Sequence, residues 1–251
     1  MQKRLLKDLF RKKEQRQKSL AVLVDPDAIK SEADIVAISR SGAVDYFFVG
    51  GSLLTSGDLN ATVSLLKSTV AEPVIIFPSN HMHISSSADG ILLLSLISGR
   101  NPEFLIGNHV LAAPALKESE LEILSTGYLI IDSGAATTAS YMSNSNPIPW
   151  NKPDIAACTA LAGSQIGMKL IYLDGGSGAA RCVSPEMIRK VSTTVDLPLI
   201  VGGGIDSIEK AQAAFAAGAD VIVVGNAIER DPSFLIELEG LMLSLNGSKV
   251  H

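Results

Sequence analysis

Apolar residues in this chain come in short, near-continuous runs. Eight of them recur along its length, at residues 20–25, 46–52, 74–79, 91–96, 128–132, 170–174, 199–203 and 221–225. Each is too short for a helix, rich in Val, Ile and Leu, and bounded by Gly, Pro, Asp or Ser. Such runs read as strands buried on both faces, and the helical patterns between them complete βαβ units. Eight units in 251 residues predict an α/β fold, a TIM-like (β/α)8 barrel, as one domain over 1–251.

Start and stop signals place several of the helices. Ser31-Glu32-Ala33-Asp34 opens one, with Ser31 as its cap. Ser184-Pro185-Glu186 opens another, with Pro185 at the first helical position. Asp206 or Ser207 starts a third, which ends near Gly218. Only residues 80–90, rich in Ser, join the third and fourth strands, so a loop is expected there in place of a barrel helix. Residues 133–151, with Ser, Asn, Pro147 and Pro149, read as a loop-like candidate lid.

Barrel chemistry sits where strands end. Three successive late strands run into glycine-rich turns: Tyr172-Leu173-Asp174-Gly175-Gly176-Ser177-Gly178, then Gly202-Gly203-Gly204, then Gly225-Asn226. Glycines let backbone N–H groups approach an anion, so the turns together form a candidate phosphate cradle. A single such turn would be read as a tight strand-to-helix connection. Asp174 and Tyr172 add groups that address substrate hydroxyls, against the plainer alternatives of an acidic turn residue and a packing aromatic. At the other end of the strand order, Asp25-Pro26-Asp27 closes the first strand and Ser52 the second. Asp25 and Ser52 are oxygen donors suited to Mg²⁺; the alternative is a turn in which Asp27 caps a helix. His81-Met82-His83 is half of a metal site without a third ligand, and reads as a loop with polar contacts. Arg100 follows the fourth strand and is a candidate diphosphate contact, or a surface ion-pair partner.

Composition narrows the class. The chain is 47% hydrophobic with mean hydropathy +0.29, carries a net charge of -5, and has few aromatics, which argues against a nucleic-acid binder. No run is long enough to span a bilayer and no signal peptide is evident. Cys158 and Cys182 lack metal-ligand spacing, so free thiols in a reducing cytoplasm are expected. Residues 1–18 carry eight basic and two acidic side chains. They predict a basic N-terminal helix packed on the barrel, with contact to anionic lipid as the sharper alternative.

The ordered set Asp25-Pro26-Asp27, Val49-Gly50-Gly51-Ser52, Phe77-Pro78-Ser79-Asn80, residues 172–178, Gly202-Gly203-Gly204 and Gly225-Asn226 resembles the geranylgeranylglyceryl phosphate synthase family, which includes bacterial heptaprenylglyceryl phosphate synthases. The resemblance implies transfer of a prenyl group from a polyprenyl diphosphate to the C3 hydroxyl of sn-glycerol 1-phosphate, in a dimer or hexamer. It implies Mg²⁺ at Asp25 and Ser52. Residues 172–178, Gly203, Gly204, Gly225 and Asn226 would hold glycerol phosphate, with Asp174 orienting or deprotonating the hydroxyl. Family members commonly carry Glu at the position of Asp174 and Gly at that of Ser79. Leu23, where the smaller bacterial branch has Lys, resembles the archaeal-type and larger bacterial branch and favours geranylgeranyl. Two competing readings stay open on the residues alone: another phosphate-binding barrel enzyme, such as a sugar-phosphate isomerase or lyase, and a non-catalytic phosphometabolite sensor.

Overall fold

The structure, a computed structural model, describes residues 4–29, 32–39 and 41–247. Eight parallel strands close into a barrel in sequence order: β1 (Ser19–Val24), β2 (Val44–Val49), β3 (Val74–Ile76), β4 (Gly90–Leu96), β5 (Glu122–Ile130), β6 (Leu170–Asp174), β7 (Leu199–Gly202) and β8 (Val221–Val224). β1 pairs with β8 to complete the ring.

Strand pleating divides the apolar residues into two cores. Along β6, Leu170 and Tyr172 join the cluster inside the barrel, with Tyr46, Phe48 and Tyr128. Ile171 and Leu173 join the shell between strands and helices, with Met187 and Phe215. A strand buried on both faces has no polar side to show, which is why its run is continuously apolar.

The outer helices follow their caps. Ser184 accepts the Met187 N–H at 3.2 Å and starts α7 (Pro185–Ser192), while Ser207 caps α8 (Ile208–Ala217). Gly218, at φ 117°, ends α8 in the left-handed region expected of a glycine stop. Other helices around the barrel are α2 (Glu32–Ser39), α3 (Leu59–Thr69), α4 (Asn108–Glu118, preceded by a π-helical turn at Glu103–Gly107), α5 (Thr138–Met142), α6 (Pro153–Gln165), α9 (Asn226–Arg230) and α10 (Phe234–Asn246). The cap expected at Ser31 lies outside the described residues.

The N-terminal helix α1 (Arg4–Glu14) plugs the barrel's lower end. Leu5 and Leu9 are buried among the interior residues. The Glu122 carboxylate accepts the Leu5 and Leu6 N–H groups at 2.8 and 2.9 Å, supplying partners to donors at the helix N-terminus. Lys12 pairs with Asp8 and Asp45, and Lys13 with Asp220. The apolar face of α1 is therefore turned to the barrel; Lys12 and Lys13 reach barrel carboxylates, while Arg4, Lys7 and Arg11 stay exposed.

The structure revises three sequence expectations. β5 begins at Glu122, six residues before the expected start, because its first half is Glu122, Ser125, Thr126 and Gly127 interleaved with apolar residues. Their partners are found in the fold: the Thr126 hydroxyl donates to the Leu124 carbonyl at 2.9 Å, and the Glu122 carboxylate is taken up by α1. β2 stops at Val49, since Gly50 (φ 151°) lies so close to the Phe77 carbonyl that a side chain there would overlap it. The 133–151 segment contains α5, held by a capping box between Thr137 and Ser140, and a parallel bridge from Ile131 to Ile148. Between β3 and β4 the described residues contain no helix, as expected.

Candidate active site

Two cavities share the upper end of the barrel, meeting at Gly51, Ser52 and Phe77. One is polar and lies over the barrel axis. The other is apolar and runs along β4 and the segment that follows β3, beneath α4, the 80–90 loop and α5.

The polar cavity is built on glycine turns. Gly176, Gly178, Gly203 and Gly204 all have left-handed φ, between 73° and 84°. Two turns are stacked backbone on backbone: Gly175 N–H donates to Gly202 O at 3.0 Å, and a Cβ on Gly203 would lie 2.5 Å from Gly176 N. Only glycine permits that approach with that φ. The Ser177 hydroxyl and the Asn226 side chain join the first turn to the third at 3.1–3.2 Å. The result is a concave array of small groups lined also by Gly225, Arg230 and Ala179. Leu173 and Gly175 fall outside this lining: pleating turns Leu173 to the outer core, and Gly175 is engaged by Gly202.

Asp174 is the last residue of β6 and points inward, only 7% exposed. Its Oδ1 accepts the Gly176 N–H at 2.7 Å. Its Oδ2 accepts a short hydrogen bond from the Tyr128 hydroxyl. Burial raises its pKa above the usual carboxylate range, and those two hydrogen bonds oppose the shift. Burial and the Asp174 charge push the Tyr128 and Tyr172 phenols well up, so both remain neutral donors. Phe77, Tyr128 and Tyr172 pack with ring centroids 5.5–6.1 Å apart, forming a floor beneath the carboxylate. The Tyr172 hydroxyl sits over Gly202, where any side chain would overlap it. No sequence motif singles out Tyr128, because its partner is 46 residues away.

Across the cavity lies Asp25, with Oδ1 accepting the Asp27 N–H at 2.9 Å. Burial raises its pKa. Asp27 plays a different part. Its carboxylate accepts N–H groups from Thr55, Ser56 and Gly57 and the Thr55 hydroxyl, and the Thr55 N–H leads in holding its pKa low. It fixes the loop after Ser52 rather than capping α2. Gly51 lies against the Asp25 carboxylate, where a Cβ would be 3.1 Å from Oδ2. Glu229 lines the same cavity, and its pKa is raised by burial and then by the Asp25 charge. It is a second carboxylate that no sequence motif marks. Asp25, Ser52 and Glu229 are a hard oxygen donor set, suited to a cation that keeps waters and substrate oxygens in its shell. Among the described residues no group of three or more His, Cys, Asp or Glu forms an all-protein metal cage. His83 instead contacts Ser79 and Asn80, and His81 contacts Asn108.

Arg100 lies in a separate surface pocket with Asn101 and Asn144, donating to the carbonyl of Gly99 at 2.7 Å. It lines neither of the two joined cavities.

The apolar cavity is walled by Ile84, Ile91, Leu93, Ala112 and Leu116, with Tyr128 and Ile130 where it nears the barrel axis. α5 sits over both cavities: Ala139 and Met142 line the apolar one and Thr138 the polar one. Thr137 packs on Gly176, where a Cβ would be 2.7 Å from Thr137 Cγ2.

Comparison with known proteins agrees with this architecture. Residues 12–239 match the model of the PcrB family. A geranylgeranylglyceryl phosphate synthase of Spirosoma linguale is 54% identical over 93% of this chain and 94% of its own length. One from Thermococcus kodakarensis is 44% identical over 86% of each chain. Among solved structures, (S)-3-O-geranylgeranylglyceryl phosphate synthase from Thermoplasma acidophilum, in complex with its substrate sn-glycerol-1-phosphate, superposes with a TM-score of 0.88 at 32% identity, covering 96% of this chain and 98% of that one.

Proposed function

Since the chain belongs to the PcrB family, with geranylgeranylglyceryl phosphate synthases as its relatives, we propose that it joins a polyprenyl group, geranylgeranyl by preference, to the C3 hydroxyl of sn-glycerol 1-phosphate. The observation that carries this reading is the junction of the two cavities. A polar cradle of glycine turns suits the phosphate and hydroxyls of the acceptor, and an apolar cavity suits a long hydrocarbon. A sugar-phosphate isomerase or a phosphometabolite sensor has no use for the second cavity.

In this reading the phosphate rests on the backbone N–H groups of Gly176–Gly178, Gly203, Gly204 and the Gly225-Asn226 turn. The acceptor's C3 hydroxyl faces Asp174. Each carboxylate oxygen already accepts one hydrogen bond and has lone-pair capacity left for the hydroxyl proton. The hydroxyl oxygen attacks C1 of the prenyl chain, the C1–O bond to diphosphate breaks, and the proton passes to Asp174. Tyr128 and the Gly176 N–H stabilise the carboxylate and fix its orientation, so the attacking oxygen is positioned rather than strongly activated. Asp25 and Ser52, with Glu229 beside them, would hold Mg²⁺, which when bound neutralises charge on the leaving diphosphate.

We place the enzyme in the cytoplasm, in keeping with the unpaired Cys158 and Cys182, and as a homo-oligomer whose copy number light scattering would give. The direct test is incubation with sn-glycerol 1-phosphate, Mg²⁺ and prenyl diphosphates of several lengths, read by mass. An ether product one prenyl group heavier than the acceptor is expected. Its absence with every donor would reject the assignment. Asp25→Asn should abolish Mg²⁺-dependent turnover and leave calorimetric binding of glycerol phosphate intact.

A further inference from the structure

An acceptor that carries a phosphate must enter a cavity whose charge opposes it. Among the described residues, the polar cavity is lined by four carboxylates, Asp25, Asp174, Asp206 and Glu229, and by a single cation, Arg230. Other cations near the glycine turns are engaged elsewhere. Lys210 pairs with Asp206 at 2.6 Å. The backbone of Arg181 runs against Gly204, but its guanidinium turns to Asp132 at 3.5 Å and lies over the Trp150 ring at 4.6 Å. Arg230 differs from both. Its Nε donates to the Asn226 carbonyl at 3.2 Å, and among the described residues its Nη atoms have no hydrogen-bond or ion-pair partner.

We propose that the Arg230 guanidinium is the cationic contact for the acceptor's phosphate, added to the uncharged N–H groups of the glycine turns. The inference rests on the functional reading above. Arg230 stands four residues after Asn226 on α9, and so on the same helix face. The Asn226 side chain is tied to the Ser177 hydroxyl at 3.1–3.2 Å, so the first turn, the third turn and the Arg230 side chain are held as one unit. The Nε bond fixes the guanidinium beside the third turn and leaves its Nη donors as a planar fork, which matches two oxygens of a phosphate. The cavity's carboxylates have other tasks. Asp174 is held by Tyr128 and the Gly176 N–H, Asp206 is neutralised by Lys210, and Asp25 and Glu229 form the hard oxygen set across the cavity. Arg230 is exposed at the rim, where its charge attracts an incoming anion and where salt screens that attraction.

Calorimetric titration of the full chain with sn-glycerol 1-phosphate, and separately with inorganic phosphate, tests the inference without any prenyl donor. Arg230→Gln should weaken binding of both by about five- to tenfold at low salt. Arg230→Lys should recover part of that loss, since it restores the charge but not the fork. The gap between wild type and Arg230→Gln should narrow at high salt. Arg189→Gln removes an exposed charge on α7, outside the cavity lining, and should bind both ligands as wild type does. In turnover, the loss should fall on the acceptor KM and not on the donor KM. The inference is overturned by equal affinities in wild type and Arg230→Gln, or by a wild-type protein that binds neither ligand. It is also overturned by a loss confined to sn-glycerol 1-phosphate, which would place Arg230 on the glycerol. A loss that Arg230→Lys does not recover and salt does not narrow would make Arg230 a brace for α9, and overturns it too. Failure of the functional reading is separate: the wild-type protein would form no ether product, while the phosphate titrations still report on Arg230.

Discussion

The Tyr128 hydroxyl, on β5, donates to Oδ2 of Asp174, at the end of β6, and the pair spans the two cavities: Tyr128 lines the apolar one and Asp174 the polar one. One hydrogen bond thus ties the group that meets the acceptor to the wall that meets the donor. Register makes it available, since Tyr128 pairs with Tyr172 and Ile130 with Asp174, leaving Tyr128 one inward position below the carboxylate. Tyr128→Phe removes the donor and leaves a buried oxygen unsatisfied, a loss of about 1–3 kcal/mol. The kcat should fall roughly ten- to hundredfold, with glycerol phosphate affinity little changed. The hydrogen bond holds the Asp174 pKa down, so its removal moves the acidic limb of the pH–rate profile to higher pH. A profile that scales down without moving would assign Tyr128 to packing alone.

Asp174 also has a signature in stability. Its pKa in the fold is raised, so between the unfolded carboxylate value of about 3.9 and that raised value the native state binds more protons than the unfolded state. Stability therefore falls as pH rises through that window. Asp174→Asn removes this contribution. Denaturant midpoints followed from acid to neutral pH should decline less steeply in the variant, and parallel curves would contradict the buried, raised carboxylate.

Two glycines of the cradle separate backbone strain from backbone collision. Gly178 (φ 75°) has nothing within 4 Å of an added Cβ, so Gly178→Ala should cost only the left-handed strain of about 1–2 kcal/mol. Gly203 (φ 81°) has the same strain, and its Cβ would also press on Gly176 N and Gly175. Gly203→Ala should lower stability further and abolish glycerol phosphate binding, because the turns can no longer stack. Thermal melts and calorimetric titration of both variants measure the difference. Equal effects would mean that stacking does not shape the cradle.

Ala112 stands in the wall of the apolar cavity and is 6% exposed. Ala112→Phe fills space there. Turnover of a geranylgeranyl donor should drop about tenfold or more, with a geranyl donor affected about twofold or less. Donor competition read by product mass checks this. Equal loss for both lengths would show that the chain does not run past α4.

The sequence makes visible what repeats or what glycine demands. The eight strands appear as apolar runs because both faces are buried, and the glycine turns appear because left-handed backbone at Gly176, Gly178, Gly203 and Gly204 excludes most other residues. Asp25, Ser52 and Asp174 are legible because strand ends are where barrel chemistry gathers. Residues whose meaning depends on a distant partner are not. The first half of β5 reads as polar until Glu122 is seen holding α1. Leu173 sits within the most informative run yet faces the outer core, because successive strand residues alternate sides.

By itself, then, the sequence determined the barrel, the order of its turns and the family's ordered motifs, all of which are local patterns imposed by burial and backbone conformation. Tertiary structure alone decided the Tyr128–Asp174 bond, the approach of Glu229 to Asp25, the removal of Arg100 from the site, and the meeting of the two cavities at Gly51, Ser52 and Phe77. Those relations arise between residues tens of positions apart, and only closure of the barrel brings them within reach of one another.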